Sequence, residues 1–312
     1  MAVLGVDLGG TKLSLAVFSE NGKMVLKKSA HLDGRKGKEV GRLISREINE
    51  ILSGHDIGSI GIGVPGISRQ KTGTVWAPNI PGWDDYPLMN EIRELNKNIP
   101  VEIESYRACS ISGELWLGNA QGCNDAIFLA VGTGIGAGIL VNGTILRGAH
   151  DIAGAIGWLA LDKPFLEKYI SCGCFEYHAS GDGIARIAKE LLNEQTYSGE
   201  LKKIRAEEIT AHDIFAAHKM GDPLAIAVIN QCIGFWGMAV ANLVSLFNPE
   251  KIILGGGVFG PAIQFIPAIM QEAVKWAQPI SIKQVKLESS KLGTDAGLYG
   301  AAFLALKHIK SQ

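Results

Sequence analysis

The stretch Asp7-Leu8-Gly9-Gly10-Thr11-Lys12 joins two apolar runs, Val3 to Asp7 and Leu13 to Ser19, and a third run, Met24 to Lys28, follows the turn Glu20-Asn21-Gly22-Lys23. Strand-forming residues punctuated by glycine predict an antiparallel meander. The same order returns downstream: strand Ala126 to Val131, turn Gly132-Thr133-Gly134-Ile135-Gly136, strand Ala137 to Val141, turn Asn142-Gly143, and strand Thr144 to Arg147. A supersecondary unit that occurs twice implies a chain built from two related halves.

Working outward, apolar residues at three-to-four spacing predict helices at Gly37 to Leu52, Leu88 to Asn96, Arg107 to Leu117, Gly183 to Leu192, Ala211 to Lys219, Pro223 to Phe247 and Ala296 to Lys310. Further strands are expected at Ile57 to Val64, Val101 to Glu104, Lys251 to Leu254 and Gln284 to Leu287. Strands and helices alternate throughout, so the expectation is two α/β domains, each a mixed sheet flanked by helices, with a cleft between them. The first would span residues 1–119 and regain the last helix at 296–312; the second would span 120–295.

Composition narrows the function classes. The 312 residues are 47% hydrophobic and 20% charged, with a net charge of -1, so nothing draws the chain as a whole to nucleic acid or to an anionic membrane. Glycine occurs 39 times, against the roughly 22 expected from ordinary usage, which calls for many tight backbone turns. Five cysteines, an odd number spread over a long chain, argue against a secreted disulfide framework and for a reducing cytoplasm. The uncharged windows Ala126 to Leu146 and Ile252 to Gln271 are interrupted by glycine or proline and do not read as spanning helices, so no membrane partner is expected.

At each glycine turn, backbone N–H groups are free to approach a phosphate, with Thr11 or Thr133 adding a hydroxyl donor and Asp7 positioned to hold Mg2+ through water. A turn of this kind is also ordinary hairpin chemistry; its occurrence at matching places in two repeats is what favours a ligand. Neither turn fits a P-loop or opens directly into a helix as a dinucleotide fingerprint does. A third glycine cluster, Gly255-Gly256-Gly257, ends the strand Lys251 to Leu254, where bare backbone suits a flat base or a simple strand-to-helix loop.

The ordered set Asp-Leu-Gly-Gly-Thr-Lys, Gly-Thr-Gly-Ile-Gly and Leu-Gly-Gly-Gly-Val resembles the actin-like (ribonuclease H-like) sugar kinases, and more closely the ROK family of bacterial hexose kinases, sugar-responsive repressors and open reading frames. Gly63-Val64-Pro65-Gly66, Ala77-Pro78-Asn79-Ile80-Pro81-Gly82-Trp83, Ala149 to Gly157, Glu176 with Ala179-Ser180-Gly181, and Asp295-Ala296-Gly297 extend the likeness over nearly the whole chain. The resemblance implies an ATP-dependent, glucokinase-like hexose kinase. Asp7, Gly9, Gly10, Thr11, Lys12, Gly132, Thr133, Gly134 and Gly136 would grip the phosphates of Mg-ATP, Gly255, Gly256 and Gly257 would flank the adenosine, and Asn79 and Glu176 would bond sugar hydroxyls. It also implies a homodimer, to which Trp116 and Trp236 would contribute apolar area.

The likeness breaks at the chemistry. ROK kinases carry a general-base Asp in a segment such as Glu-Asn-Asp-Ala-Asn; here the segment is Glu104-Ser105-Tyr106-Arg107-Ala108, and Tyr106 holds the position of the base. A phenol with a pKa of about 10 is neutral at pH 7 and a poor proton acceptor. Glu104, two residues earlier on the expected strand, would share Tyr106's face but lie about 6.6 Å away. Family Glu and His positions are taken by Ala155 and Trp158, leaving Trp158 to stack on a sugar face. The family's zinc set is reduced to Cys172 and Cys174 with a displaced His178, so no structural zinc is expected. The reading is therefore a weak or cryptic hexose kinase that Tyr106→Asp would activate. The alternative is a non-catalytic sugar or nucleotide sensor. The family's repressors place a helix-turn-helix before the first glycine turn, which this sequence reaches by residue 7, so direct DNA binding is not expected.

Overall fold

The computed structural model describes residues 2–95, 98–194, 197 and 199–310. The opening meander forms β1 (Ala2–Leu8), β2 (Lys12–Ser19) and β3 (Met24–His31), with Asp7 opposite Ser14 at the first hairpin. After α1 (Lys38–Leu52), β4 (Ile57–Val64) returns parallel to β1. A short hairpin, β5 (Ile67–Arg69) and β6 (Thr74–Trp76), and α2 (Leu88–Leu95) precede β7 (Val101–Ser105), which lies parallel to β4. The sheet order is β3-β2-β1-β4-β7.

Through α3 (Tyr106–Leu117) the chain enters the second half: β8 (Ala126–Val131), β9 (Ile135–Val141) and β10 (Thr144–Ile145), then α4 (Cys174–Ala179), α5 (Gly181–Glu194), α6 (Ala211–Lys219) and α7 (Pro223–Phe247). It closes with β11 (Lys251–Gly255), α8 (Ile266–Trp276), β12 (Lys286–Ser289) and α9 (Ala296–Lys310). The second sheet runs β10-β9-β8-β11-β12, the first order repeated strand for strand, with the same antiparallel and parallel pairings. The duplication read from the two meanders is thus present in the topology. The expected helix end at Asn96, and Ser311 and Gln312 of the first domain, lie outside the described residues.

Alternation builds the layers. Ile127, Leu129 and Val131 on β8 join the large core formed with α4 to α8, while Ala126, Phe128 and Ala130 face α3 in a separate cluster. In the first sheet, Leu4, Val6 and Leu8 face α1 and α2, while Val3 meets Leu298 and Ala302 of α9. The layers therefore run sheet, α9, α3, sheet, and the two central helices touch along small residues. A Cβ on Gly300 would collide with the Cys109 carbonyl oxygen, and one on Gly113 with that of Ala296. Only glycine permits this approach.

Helix α7 shows its sequence signals plainly. Asp222 accepts the N–H groups of Leu224 and Ala225 at 3.0 Å, Pro223 opens the first turn, and Asn248 ends it in the left-handed region. Among the described residues it is the one helix long and apolar enough to cross a membrane, but most of its apolar length is core. Trp236 on this helix is fully buried, its N–H donating to the Ala179 carbonyl, so it offers no area to a partner. Trp116 packs on Phe18, Tyr299 and Phe303.

Candidate functional site

Both glycine turns sit at the same end of the repeated sheets. In the first, Gly9 N–H donates to the Lys12 carbonyl at 2.8 Å, which leaves Gly10, Thr11 and Lys12 exposed. Gly10 faces the Asn79 side chain, and the two line a cavity of about 460 Å³ with Thr11, Leu32 and Pro81. In the second, Gly132 N–H donates to the Gly134 carbonyl at 2.9 Å, and the Gly132 carbonyl accepts the Gly181 N–H at 2.7 Å. The start of α5 is thereby tied to this turn. Gly132, Thr133, Asp182, Arg186, Phe215 and Gly257 line a cavity of about 680 Å³.

The third glycine cluster divides by role. Gly257 borders the larger cavity, but a Cβ on Gly255 would strike the Phe128 ring and one on Gly256, at φ 88°, the Val131 carbonyl. Close packing on β8 is the reason for those two glycines.

Asp7 ends β1 with its carboxylate between two glycines, Gly63 of β4 and Gly297 of α9; a Cβ on Gly297 would lie 3.2 Å from Oδ1. It makes no hydrogen bond or ion pair with any described residue. Burial, with a contribution from the nearby Asp295 carboxylate, pushes its pKa up to about 6. A partly buried carboxylate without a protein partner, in a cradle cleared of side chains, suits a hydrated cation.

Tyr106 is the first residue of α3 rather than the end of β7, and Ser105 caps the helix by accepting the Ala108 N–H at 3.3 Å. The strand-face relation between Glu104 and Tyr106 expected from the sequence therefore does not hold. Glu104 turns away, accepting the Ser105 N–H at 2.8 Å and pairing with Arg147 at 2.6 Å. Burial raises the Tyr106 pKa above its ordinary value; Arg107 opposes the shift, and Glu176 and Asp7 reinforce it. The phenol thus lies within electrostatic reach of both Asp7 and Glu176, residues from opposite halves of the chain.

Glu176, in α4, accepts the Ile135 N–H at 2.6 Å and stands against Gly134 and Gly157. Burial raises its pKa, the Ile135 hydrogen bond acting in the other direction. Trp158 is 58% exposed at the edge of the same region. His178 is packed: Nε2 lies 2.9 Å from the Tyr169 hydroxyl, Nδ1 3.1 Å from the Gln231 amide, and the ring stacks on Phe235. Both nitrogens are in use within the core.

The sequence pattern of the ROK family matches residues 3–308. The chain belongs to the ROK family. This ROK chain is 35% identical over 315 residues to a glucokinase of Halalkalibacterium halodurans, the match covering 96% of this chain and 94% of the relative. The ROK glucokinase of Streptomyces griseus, solved with glucose and AMPPNP, superimposes with a TM-score of 0.81 at 28% identity, covering 98% of this chain and all of the other. A ROK family transcriptional regulator, a homologue of the E. coli MLC protein, gives a TM-score of 0.87 at 26% identity, covering 98% of this chain and 78% of the regulator. The fold is thus that of the actin-like sugar kinases, and the chain is a glucokinase-like ROK member by sequence and architecture.

Some residues around the ROK cleft were not legible in the sequence. Arg186 and Lys189 lie in the helix expected at Gly183 to Leu192 and Asp182 just before it, and their spacing along one face of the observed helix brings all three to the same cavity. Arg107 carried no sequence signal at all; its setting appears only when α3 meets β9.

Proposed function

We propose that the protein is an ATP-dependent hexose kinase of the glucokinase type, acting at a primary 6-hydroxyl, whose own turnover is low or absent because Tyr106 stands where a general base would act. The observation that carries this reading is Tyr106 as the first residue of α3, its pKa raised by burial, with Asp7 and Glu176 near enough to add to the shift. Phosphoryl transfer to an alcohol needs the acceptor aligned and its proton removed, and a missing base lowers the rate by about 10²- to 10⁴-fold.

In this reading the turns Gly9 to Lys12 and Gly132 to Gly136 hold the phosphates of ATP through those N–H groups not already used by Lys12, Gly134 and Glu176, with the Thr11 and Thr133 hydroxyls as added donors. Gly257 and the cavity beside α5 receive the adenosine. Asn79 and Glu176 orient the sugar, and Trp158 stacks at its rim. The unpartnered Asp7 carboxylate fits Mg2+ held through water, which when bound supplies positive charge against the β- and γ-phosphates. Two domains, 1–119 with 296–312 and 120–295, divide the two sheets, and the cleft between them is the working site. A cytoplasmic homodimer is the form proposed, consistent with five free cysteines and with exposed Leu246, Val274, Trp276 and Ile280.

The sensor reading keeps one support of its own, the higher TM-score to the transcriptional regulator than to the glucokinase. An ADP-release assay over a hexose panel, with calorimetry of Mg-AMPPNP, separates the two. The kinase reading expects nucleotide binding in the parent and turnover in Tyr106→Asp. Sugar binding without turnover in that variant is the sensor result and overturns it.

A further inference from the structure

Glu114 follows Gly113 on α3 and is fully buried, yet among the described residues no cation pairs with its carboxylate. Backbone and hydroxyl donors hold it instead. Oε2 accepts the Asn119 N–H at 2.7 Å, while Oε1 accepts the Ser290 hydroxyl at 2.5 Å and the Leu292 N–H at 3.1 Å. Gly118 leaves room for this arrangement, since a Cβ there would lie 2.0 Å from Oε2. The Asn119 side chain repeats the link by donating to the Ser289 carbonyl at 2.9 Å.

Burying a carboxylate is costly, and hydrogen bonds offset that cost only while their donors keep one geometry. The geometry fixed here is that of the link from Ser290 to Asp295, by which the chain leaves β12 and enters α9. Ser290 passes the constraint on: its hydroxyl accepts the Gly293 N–H at 2.8 Å, and the Leu292 carbonyl accepts the Asp295 N–H at 3.2 Å. Lys27 of β3 holds the Asp295 carboxylate from the other sheet at 2.7 Å. Two residues further on, Gly297 forms one wall of the cradle around Asp7. Backbone against backbone at Gly113 and Gly300 lets α3 and α9 approach but supplies no side chain there to fix how far along α3 the second helix begins. Glu114, beside Gly113, supplies that stop.

We propose that Glu114 is a positioning residue for the cation site: through Ser290 and the turn Gly293 to Asp295 it holds the start of α9 against Asp7. This rests on the reading of Asp7 as the holder of hydrated Mg2+. The metal-dependent part of nucleotide binding then depends on a carboxylate that touches neither the metal nor the nucleotide.

Calorimetry would compare Mg-AMPPNP with AMPPNP in EDTA for the parent, Glu114→Gln and Ser290→Ala, with circular dichroism to check folding. Glu114→Gln keeps the volume but turns one acceptor into a donor that faces another donor. Ser290→Ala removes the relay at a half-buried position and leaves the carboxylate in place. Glu114→Gln should bind Mg-AMPPNP about tenfold more weakly, as changes behind a metal ligand commonly do, and Ser290→Ala should show a smaller loss of the same kind. Metal-free AMPPNP should bind both variants as it binds the parent. If Glu114→Gln does not fold, Ser290→Ala decides on the same criterion. Equal loss of both nucleotide forms marks a general structural defect and overturns the proposal, as does unchanged affinity for Mg-AMPPNP in the folded variants. Those results leave the kinase reading standing, whereas a parent that gains nothing from Mg2+, or binds neither nucleotide form, sinks both.

Discussion

Replacing Tyr106 by Asp tests the chemistry at its narrowest point. With a phenol pKa held above about 10, less than one molecule in about a thousand carries phenolate at pH 7, whereas an ordinary carboxyl is almost wholly ionised. The gain in available base is therefore about 10³-fold, or about 4 kcal/mol of barrier, inside the usual range for general-base catalysis. The structure modifies that figure in both directions. Arg107 and the α3 dipole favour an ionised Asp at the first helical position, while burial and the nearby Asp7 and Glu176 carboxylates oppose it. Loss of the half-buried ring from the cluster around Ile111 and Phe128 costs about 1–2 kcal/mol of stability, which the fold should survive. The assay is ADP release at saturating Mg-ATP over a hexose panel, with Tyr106→Phe as control. Tyr106→Asp should exceed the parent at least a hundredfold on one sugar, and Tyr106→Phe should match the parent. Parity between parent and Tyr106→Asp, with sugar and nucleotide both bound, would refute the reasoning; so would a tenfold loss in Tyr106→Phe.

Three further outcomes follow from the packing and ionisation described above. Gly300→Ala should lose about 3 kcal/mol or more in urea unfolding, because its Cβ meets the Cys109 carbonyl; a loss under about 0.5 kcal/mol would mean that α3 and α9 are not in contact. Burial lowers the His178 pKa, with Lys168 adding to it, so the folded state resists protonation: the contribution is intact above about pH 6.5 and declines as the pH falls through the folded value. Between pH 7.5 and 5.5 the parent should lose more unfolding free energy than His178→Gln, and parallel pH profiles would contradict this. Arg147→Met strands the buried Glu104 carboxylate, and, because Arg147 is itself 42% exposed, the expected loss is about 1–2 kcal/mol, read as a lower thermal midpoint; an unchanged midpoint would show the pair to be dispensable.

The repeated meander made the fold legible because its signals are local: alternation, an Asn-Gly turn and glycine at the same place twice. What the sequence hid was short or conditional. The strands of the Ile67–Arg69 and Thr74–Trp76 hairpin are too brief to show a period. Helix α8 is absent from the expected elements, although Pro267 sits in its first turn, where proline favours a helix start. The strand expected at Val101 to Glu104 put Tyr106 on the face of Glu104, whereas Ser105 caps a helix that begins at Tyr106. The glycine turns could be located, but not what stands beside them. Glu176 on Ile135 and Arg107 on Gly136 join residues far apart in sequence, and no window of local pattern carries that information.

The contact between α3 and α9 is made of backbone on backbone, with no side chains meshed across it at Gly113 and Gly300. Such a joint behaves as a plain bearing rather than a gear. Turning one sheet against the other about these glycines lifts no knob out of a hole there, and the resistance comes from farther along the pair, where Trp116 of α3 stacks on Phe303 and meets the edge of Tyr299 of α9. The stops must lie at the periphery, in tethers such as Arg147 to Glu104 and Asp151 to the Gln70 N–H, and in whatever cargo the halves enclose.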